Sequence, residues 1–427
     1  MDIVDRLPLY PLILAFLVYP IAAWVVMRLA PARIRMATFA VLNVAGLAAM
    51  CWLSMSRGKG VRLALVGPYS RVSLFFFTLY FGFALANYAV LRLCGRNRVP
   101  WMAGFLLPIV FLIYIKYASQ SLDPFEALLA PAGLTRFEGF FIGISYLSFR
   151  LVLLAQEVRN EIVTMPSVWE YLGFAFFVPT LSIGPINPYS KFIASFRQPD
   201  RKATPIARSL LRILIGFTKY IFLSTLAAQL TFSGLLRDGH PHTSIDLIIS
   251  VLVFPLYLYS NFSGFCDMVI GVSGLLGIQV AENFDQPFLS RNFQEFWTRW
   301  HITLSLWIRD LVFTPLSKAI IRRFGPKSAN HAIAFSIFVA FILVGLWHGK
   351  GMNFLVFGIL QGIGLATVHY YTVFLKQILG RNGFAAYRQN RFIRWTGVTM
   401  TYCYFATTLI FFANTWPQIG TLLHSLR

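Results

Sequence analysis

Long apolar runs recur along the chain, divided by short basic or proline-containing stretches. A helix rises 1.5 Å per residue, so a hydrocarbon layer about 30 Å thick takes about 20 mostly apolar residues to cross. Runs of that kind fall near 8–28, 37–55, 72–91, 100–118, 138–155, 168–184, 211–232, 245–265, 333–347, 352–372 and 397–416, about eleven in all. Those at 138–155, 168–184 and 333–347 are short or interrupted by polar residues, Gly or Pro. Backbone groups freed at such breaks cannot face lipid, so these three are expected to be re-entrant or buried inside a bundle. The pattern predicts an all-α, polytopic transmembrane helical bundle. With no internal repeat and no soluble domain visible, residues 1–427 are expected to form one integral-membrane domain. Asp2 and Asp5 stand where a signal peptide carries basic residues, so 8–28 reads as a retained first span.

Three stretches depart from this pattern. Residues 185–210 are polar, basic and proline-rich, as expected of a surface loop with an interfacial helix. Residues 233–244, with Gly239, His240, Pro241 and His242, read as a short turn. Residues 281–332 are the least apolar long segment and end in a basic piece with Arg322, Arg323 and Lys327.

Composition makes the membrane reading firm. Of 427 residues, 57% are hydrophobic and only 12% charged, against about 25% charged in soluble domains. This excludes a disordered, collagenous or coiled-coil chain and an ordinary soluble enzyme. Lys and Arg number 37 against 16 Asp and Glu, a net charge of +21. The basic residues cluster between apolar runs, as in Arg57/Lys59/Arg62, Arg92/Arg96/Arg98 and Arg388/Arg391/Arg394, where they suit anionic headgroups and not nucleic acid. The loops at 28–35, 56–71 and 92–98 are all basic, so charge alone does not give the orientation. Cys51, Cys94, Cys266 and Cys403 are scattered, which argues against a disulfide framework or a zinc site.

Candidate chemistry lies in three places. If 293–310 is one helix, His301 shares a face with Gln294, Trp297, Thr298, Leu304, Ser305 and Ile308, while Glu295, Arg299, Leu306 and Asp310 lie opposite. That face fits a polar cavity wall. It equally fits an interfacial helix with Trp297, Trp300 and Trp307 in an aromatic belt. His348 closes the run AIAFSIFVAFILVGLW among Gly345, Gly349 and Gly351, glycines that let a backbone or a substrate approach. A membrane histidine is costly unless paired or facing a wet cavity; a structural hydrogen bond between helices is the plainer role. Asn261, Ser263 and Asp267 sit near the end of a span, where a buried Asp267 needs a partner such as Arg309 or Arg150, or caps a helix. His240 and His242 read as a polar loop. His331, His369 and His424 read as surface or helix-end residues. Gly358 and Gly362 form a GxxxG helix contact.

The chain has no GxSxG, HExxH, P-loop, GxGxxG or DxD. This weakens serine hydrolases, zinc proteases, nucleotide-driven pumps and metal-dependent glycosyltransferases. A neutral imidazole taking a hydroxyl proton while the oxygen attacks an activated acyl group remains. A transporter or flippase of an acylated or lipid-linked saccharide is the alternative from another class, though it predicts repeated halves that the sequence does not show.

The segments GISYLSFR (143–150), FFVPTLSIGPI (176–186), NFSGFCDMVIG (261–271), ENFDQPFLSRNFQEFWTRWHITLSLWIRD (282–310) and GLWHG (345–349) together resemble the membrane-bound O-acyltransferases. Within that family they are similar to the bacterial branch of teichoic-acid D-alanyl transfer proteins and alginate O-acetylases. The resemblance covers a motif-bearing core, about 140–365. It implies a helical bundle around a central tunnel in the cell inner membrane. It also implies a cytoplasmic thioester donor, acyl-CoA or a phosphopantetheinyl acyl carrier protein, and no bound cofactor or metal. An acceptor hydroxyl of an envelope polysaccharide or teichoic-acid-like polymer approaches from the other side, directly or through an extracytoplasmic partner protein. By the same resemblance His348 is the general base and His301 a second catalytic residue in the tunnel. Trp297, Trp300, Ser305, Arg309, Asn261 and Asp267 are candidates for lining the tunnel or touching substrate. Thr298 and Asn187-Pro188-Tyr189 depart from the family pattern, each standing where relatives often carry a basic residue.

Overall fold

A computed structural model describes residues 14–55, 68–118, 143–197, 206–238 and 242–424. Among them the chain is helical, and the only extended pairing is one antiparallel bridge between Phe284 and Trp300. Helices α1 (Tyr19–Leu29), α2 (Ala32–Met55), α3 (Pro68–Gly95) and α4 (Trp101–Ile113) are followed by α5 (Ile144–Arg159), α6 (Val168–Ala175), α7 (Tyr189–Arg197) and α8 (Ile206–Phe217). Then come α9 (Ser224–Gln229), α10 (Phe232–Asp238) and α11 (Ser244–Leu275), and three short helices, α12 (Phe293–Arg299), α13 (Ile302–Ile308) and α14 (Thr314–Phe324). The last four are α15 (Ala329–His348), α16 (Met352–Gln389), α17 (Arg391–Ala413) and α18 (Trp416–His424).

Seven of the described helical stretches are long and apolar enough to cross a bilayer: α2, α3, α8 continued into α9, α11, α15, α16 and α17. Phe16–Leu29 and Trp101–Tyr117 are shorter apolar helices. The protein is therefore an all-α polytopic bundle, with fewer stretches of that length among the described residues than the eleven apolar runs. Two runs give no helix of that length among the described residues. The 138–155 run, described from 143 onward, becomes α5, most of whose side chains are buried. The 168–184 run becomes the eight-residue α6 and a 3-10 turn at Val178–Thr180. The third expected break is a correction. The 333–347 run is part of an unbroken helical stretch, Pro326–His348, long and apolar enough to cross a bilayer, because Asn330 and His331 extend the helix instead of interrupting it. At the far end of α16, Gly380 takes φ 63°, a left-handed backbone that turns the helix after its apolar part.

Contacts group the described residues into two compact bodies, 14–215 with 265–281 and 216–264 with 282–424. The first is held by buried polar side chains spent on backbone. Asn43 accepts from the Tyr19 hydroxyl at 2.8 Å and from the Val178 N–H at 3.0 Å. Arg150 donates to the carbonyls of Phe174 (3.2 Å) and Ala175 (3.0 Å) and to Thr180 Oγ1 (2.9 Å). Asn187 clamps the strand-like stretch after α11 from both sides, donating to Gln279 O at 3.2 Å and accepting from Ala281 N–H at 3.1 Å. The departure from the family pattern at this position thus has a local role. The second body is built on α15, α16 and α17 with the short helices α12–α14, and it carries both candidate histidines.

Candidate active site

The segment around His301 is not one helix. Asn292 caps α12 by accepting the Glu295 N–H at 2.8 Å, and α12 ends at an extended Trp300. His301 has φ 44° and ψ 52°, and α13 starts after it. The cause is a short antiparallel pairing: Asp285 N–H donates to Arg299 O and Ile302 N–H to Asn283 O, each at 2.9 Å. Pairing with 283–285 pulls 299–302 out of helical geometry and holds His301 in a left-handed conformation that a residue other than glycine adopts at a cost of about 1–3 kcal/mol. The single-helix projection is corrected accordingly. Gln294 and Thr298, expected beside His301, are exposed, while Trp297 and Trp300 are 8% and 5% exposed and belong to the interior, not to an aromatic belt. Glu295 and Arg299, one turn apart on α12, form an ion pair at 2.8 Å.

His301 is 5% exposed. Its Nδ1 lies 3.2 Å from Asn283 Oδ1, which also accepts from Thr303 N–H at 3.1 Å and from Thr303 Oγ1 at 2.9 Å. Its Nε2 has no hydrogen-bond partner among the described residues. The residue lies in the connection between α11 and α15, outside the long spans, and burial pushes its imidazole from 6.5 down to about 3. The ring is neutral at physiological pH. Phe262 presents an edge to it at 4.8 Å and the Trp347 ring lies 6.5 Å away.

His348 is the last residue of α15 and is half-buried. Its ring packs 4.4 Å from Trp347, 4.8 Å from Phe412 and 6.0 Å from Phe357. The Trp347 indole therefore contacts both imidazoles, and the two histidines, 47 positions apart, share one aromatic environment. A half-buried imidazole walled by rings is reachable yet largely shielded from water, which suits proton transfer to or from a bound group.

The other candidates divide. Trp297 packs 4.7 Å from Phe341, and its Nε1 is buried without a partner among the described residues. Trp300 stacks on Phe296 at 5.6 Å and meets Phe284 at 5.1 Å. Ser305 turns back, donating to Trp300 O at 3.3 Å. Arg309 is exposed and pairs with its neighbour Asp310 at 2.8 Å. Asp267 pairs with Arg212 at 3.1 Å, so neither Arg150 nor Arg309 is the partner expected for it. From the motif at 261–267 it is Phe262, next to the expected Asn261, that meets His301. Sequence reading also missed Asn283, Thr303 and Phe412. Asn283 and Thr303 lie inside the matched motif 282–310, while Phe412 lies outside every matched motif. His240 falls outside the described residues, and His242 is buried with Nε2 2.9 Å from Leu235 O, not in an open loop.

Fold and site together define a polytopic membrane protein with two histidines in one aromatic interior. The chain belongs to the membrane-bound O-acyltransferase family, whose sequence profile matches residues 103–411, and it is an acyltransferase. It is 30% identical over 316 residues to the teichoic acid D-alanyltransferase of Streptococcus thermophilus, a match covering 71% of this chain and 72% of that protein. To the probable alginate O-acetylase AlgI of Pseudomonas aeruginosa it is 29% identical over 304 residues, covering 68% of this chain and 56% of that protein. To the teichoic acid D-alanyltransferase of Bacillus subtilis it is 30% identical over 242 residues, covering 56% of this chain and 61% of that protein. The chain thus spans less than two thirds of the length of the latter two.

Proposed function

We propose that the protein moves a small acyl group, D-alanyl or acetyl, from a cytoplasmic thioester to a hydroxyl of a cell-envelope polysaccharide or teichoic-acid-like polymer. The carrying observation is the pair of imidazoles joined through Trp347 inside the family-matched region. The names of the relatives support the acceptor class. In this reading His348 takes the proton of the attacking hydroxyl as its oxygen bonds to the thioester carbonyl carbon. The carbon–sulfur bond then breaks and the departing thiolate takes up a proton. A thioester is already activated, so the protein has mainly to supply a base, alignment and a dry site.

The donor is acyl-CoA or a phosphopantetheinyl acyl carrier protein, the location the cell inner membrane, and the final acceptor is reached directly or through an extracytoplasmic protein. Residues 140–365 form the motif-bearing core of a single acyltransferase domain. Trp297, Trp300 and Ser305 line the reaction space, and Asn261 reaches it through its neighbour Phe262. Inverted membrane vesicles supplied separately with labelled acetyl-CoA and labelled D-alanyl carrier protein distinguish the two donors. His348→Ala, at unchanged protein level, is expected to lower acyl incorporation by at least about 100-fold, the contribution of a positioned general base. Retained incorporation removes the assignment.

A further inference from the structure

A neutral imidazole has one N–H and one lone pair, and its neighbours decide which nitrogen carries which. At His301 the neighbours are unequivocal. A backbone N–H can only donate, so the Asn283 atom that Thr303 N–H approaches at 3.1 Å is the amide oxygen. That oxygen also receives Thr303 Oγ1 at 2.9 Å. His301 Nδ1, 3.2 Å from the same oxygen, must then be a donor as well. The proton sits on Nδ1 and the lone pair on Nε2. Yet Nε2 is buried and has no partner among the described residues. The chain holds this arrangement through a left-handed backbone at His301 and the antiparallel pairing of 283–285 with 299–302. Strained backbone that leaves a buried acceptor unmatched among the described residues is what a ligand donor would complete.

We infer that Asn283 is a positioning residue that fixes His301 in its Nδ1–H tautomer, and that the Nε2 lone pair so presented accepts a hydrogen bond from an O–H or N–H of the bound substrate. The tautomer half stands on its own. The ligand half rests on the acyl-transfer reading above, in which the donor group is either the acceptor hydroxyl or an amide N–H of the pantetheine arm. His301 does not take the proton in this scheme. Its burial keeps it neutral, so it orients a substrate whose reacting hydroxyl is deprotonated elsewhere.

The test is nitrogen-15 NMR of the full chain, histidine-labelled and in lipid nanodiscs, with the His301 resonances assigned by their loss in His301→Gln. The wild type is expected to show a protonated Nδ1 and a bare Nε2. Asn283→Leu should move the ring to the other tautomer or to a mixture. Asn283→Asp, which keeps an acceptor oxygen, should retain the wild-type form, as should Thr303→Val, which keeps the backbone N–H. A protonated Nε2 in the wild type overturns the tautomer assignment even if Asn283→Leu does not fold. So does an unchanged ring in Asn283→Leu. A thioether analogue of acetyl-CoA and a glycerol phosphate oligomer are then added separately. The probe that moves the Nε2 resonance identifies the source of the donor group, and a resonance unmoved by both overturns the ligand half. In the transfer assay Asn283→Leu should lose at least about 10-fold in kcat with Asn283→Asp recovering most of it. If the wild type transfers neither acyl group while its tautomer is as stated, the functional reading fails and the role of Asn283 survives.

Discussion

Arg150 is the largest fully buried side chain among the described residues, 1% exposed, and it is met by carbonyls instead of a carboxylate. Two of its acceptors, Phe174 O and Ala175 O, end helix α6, where unpaired carbonyls and the negative end of the helix dipole gather. The guanidinium thus completes a helix terminus in a place water does not reach. This explains why an arginine sits within the apolar 138–155 run, which was expected to be re-entrant or buried inside a bundle. Removing it strands several buried acceptors, each worth about 1–3 kcal/mol. Arg150→Met should therefore lower the melting temperature in detergent sharply. Arg150→Lys should not restore it, because an ammonium cannot reproduce the fork that reaches two carbonyls and Thr180 together. A lysine variant as stable as the wild type would show that charge alone suffices there.

Between elements, the decisive contacts are glycines where backbones nearly touch. A Cβ at Gly358 would lie 2.5 Å from Phe341 O and 3.1 Å from Gly345 Cα, so α15 and α16 cross with no side chain between them. Gly345 is equally close to the Phe354 carbonyl. Gly345, three residues before His348, thus admits another helix. At Gly264, within the motif that supplies Phe262, a Cβ would come 2.8 Å from Gly216 O and 2.7 Å from Tyr220 N. Gly358→Val should separate α15 from α16, cost about 1–3 kcal/mol by overpacking, and displace His348, lowering both the yield of folded protein and activity. Gly362→Ala, whose Cβ would stand 3.4 Å from Phe338 Cα, should be mild by the same measurements. The helices themselves were legible wherever apolar length exceeded the span requirement, as in α2, α3, α11 and α16. Where burial comes from protein instead of lipid, the polar, Gly and Pro breaks in 138–155 and 168–184 marked those runs as re-entrant or buried, but not where α5 and α6 begin and end. In α5 and α6 apolar composition reports an interior position, and hydropathy alone does not separate the two solvents.

For the molecule as a whole, the motifs placed both histidines in one region, since residue identity in GLWHG and FWTRWH survives any local geometry. The break at Trp300 and His301 was hidden because it is imposed by residues 283–285, a long-range pairing that a helical projection of 293–310 does not contain. The same enclosure sets how folding responds to pH. His301 titrates near 6.5 in an unfolded chain and at about 3 when buried in the fold, so between these values the unfolded state binds a proton that the folded state does not. Stability rises with pH wherever the unfolded state holds more protons. The contribution of a neutral buried His301 is therefore complete above pH 6.5 and is lost as pH falls toward 3. Melting temperatures of the wild type and His301→Gln in nanodiscs should run parallel above about pH 7. They should diverge below about pH 6, the wild type losing stability faster by at most one proton's worth of slope. Since His301 stays neutral throughout this range, a rate limb found near neutrality must belong to another group. Curves that stay parallel down to pH 5 would mean that the folded protein protonates His301 as readily as the unfolded chain does, and the ring would not be enclosed.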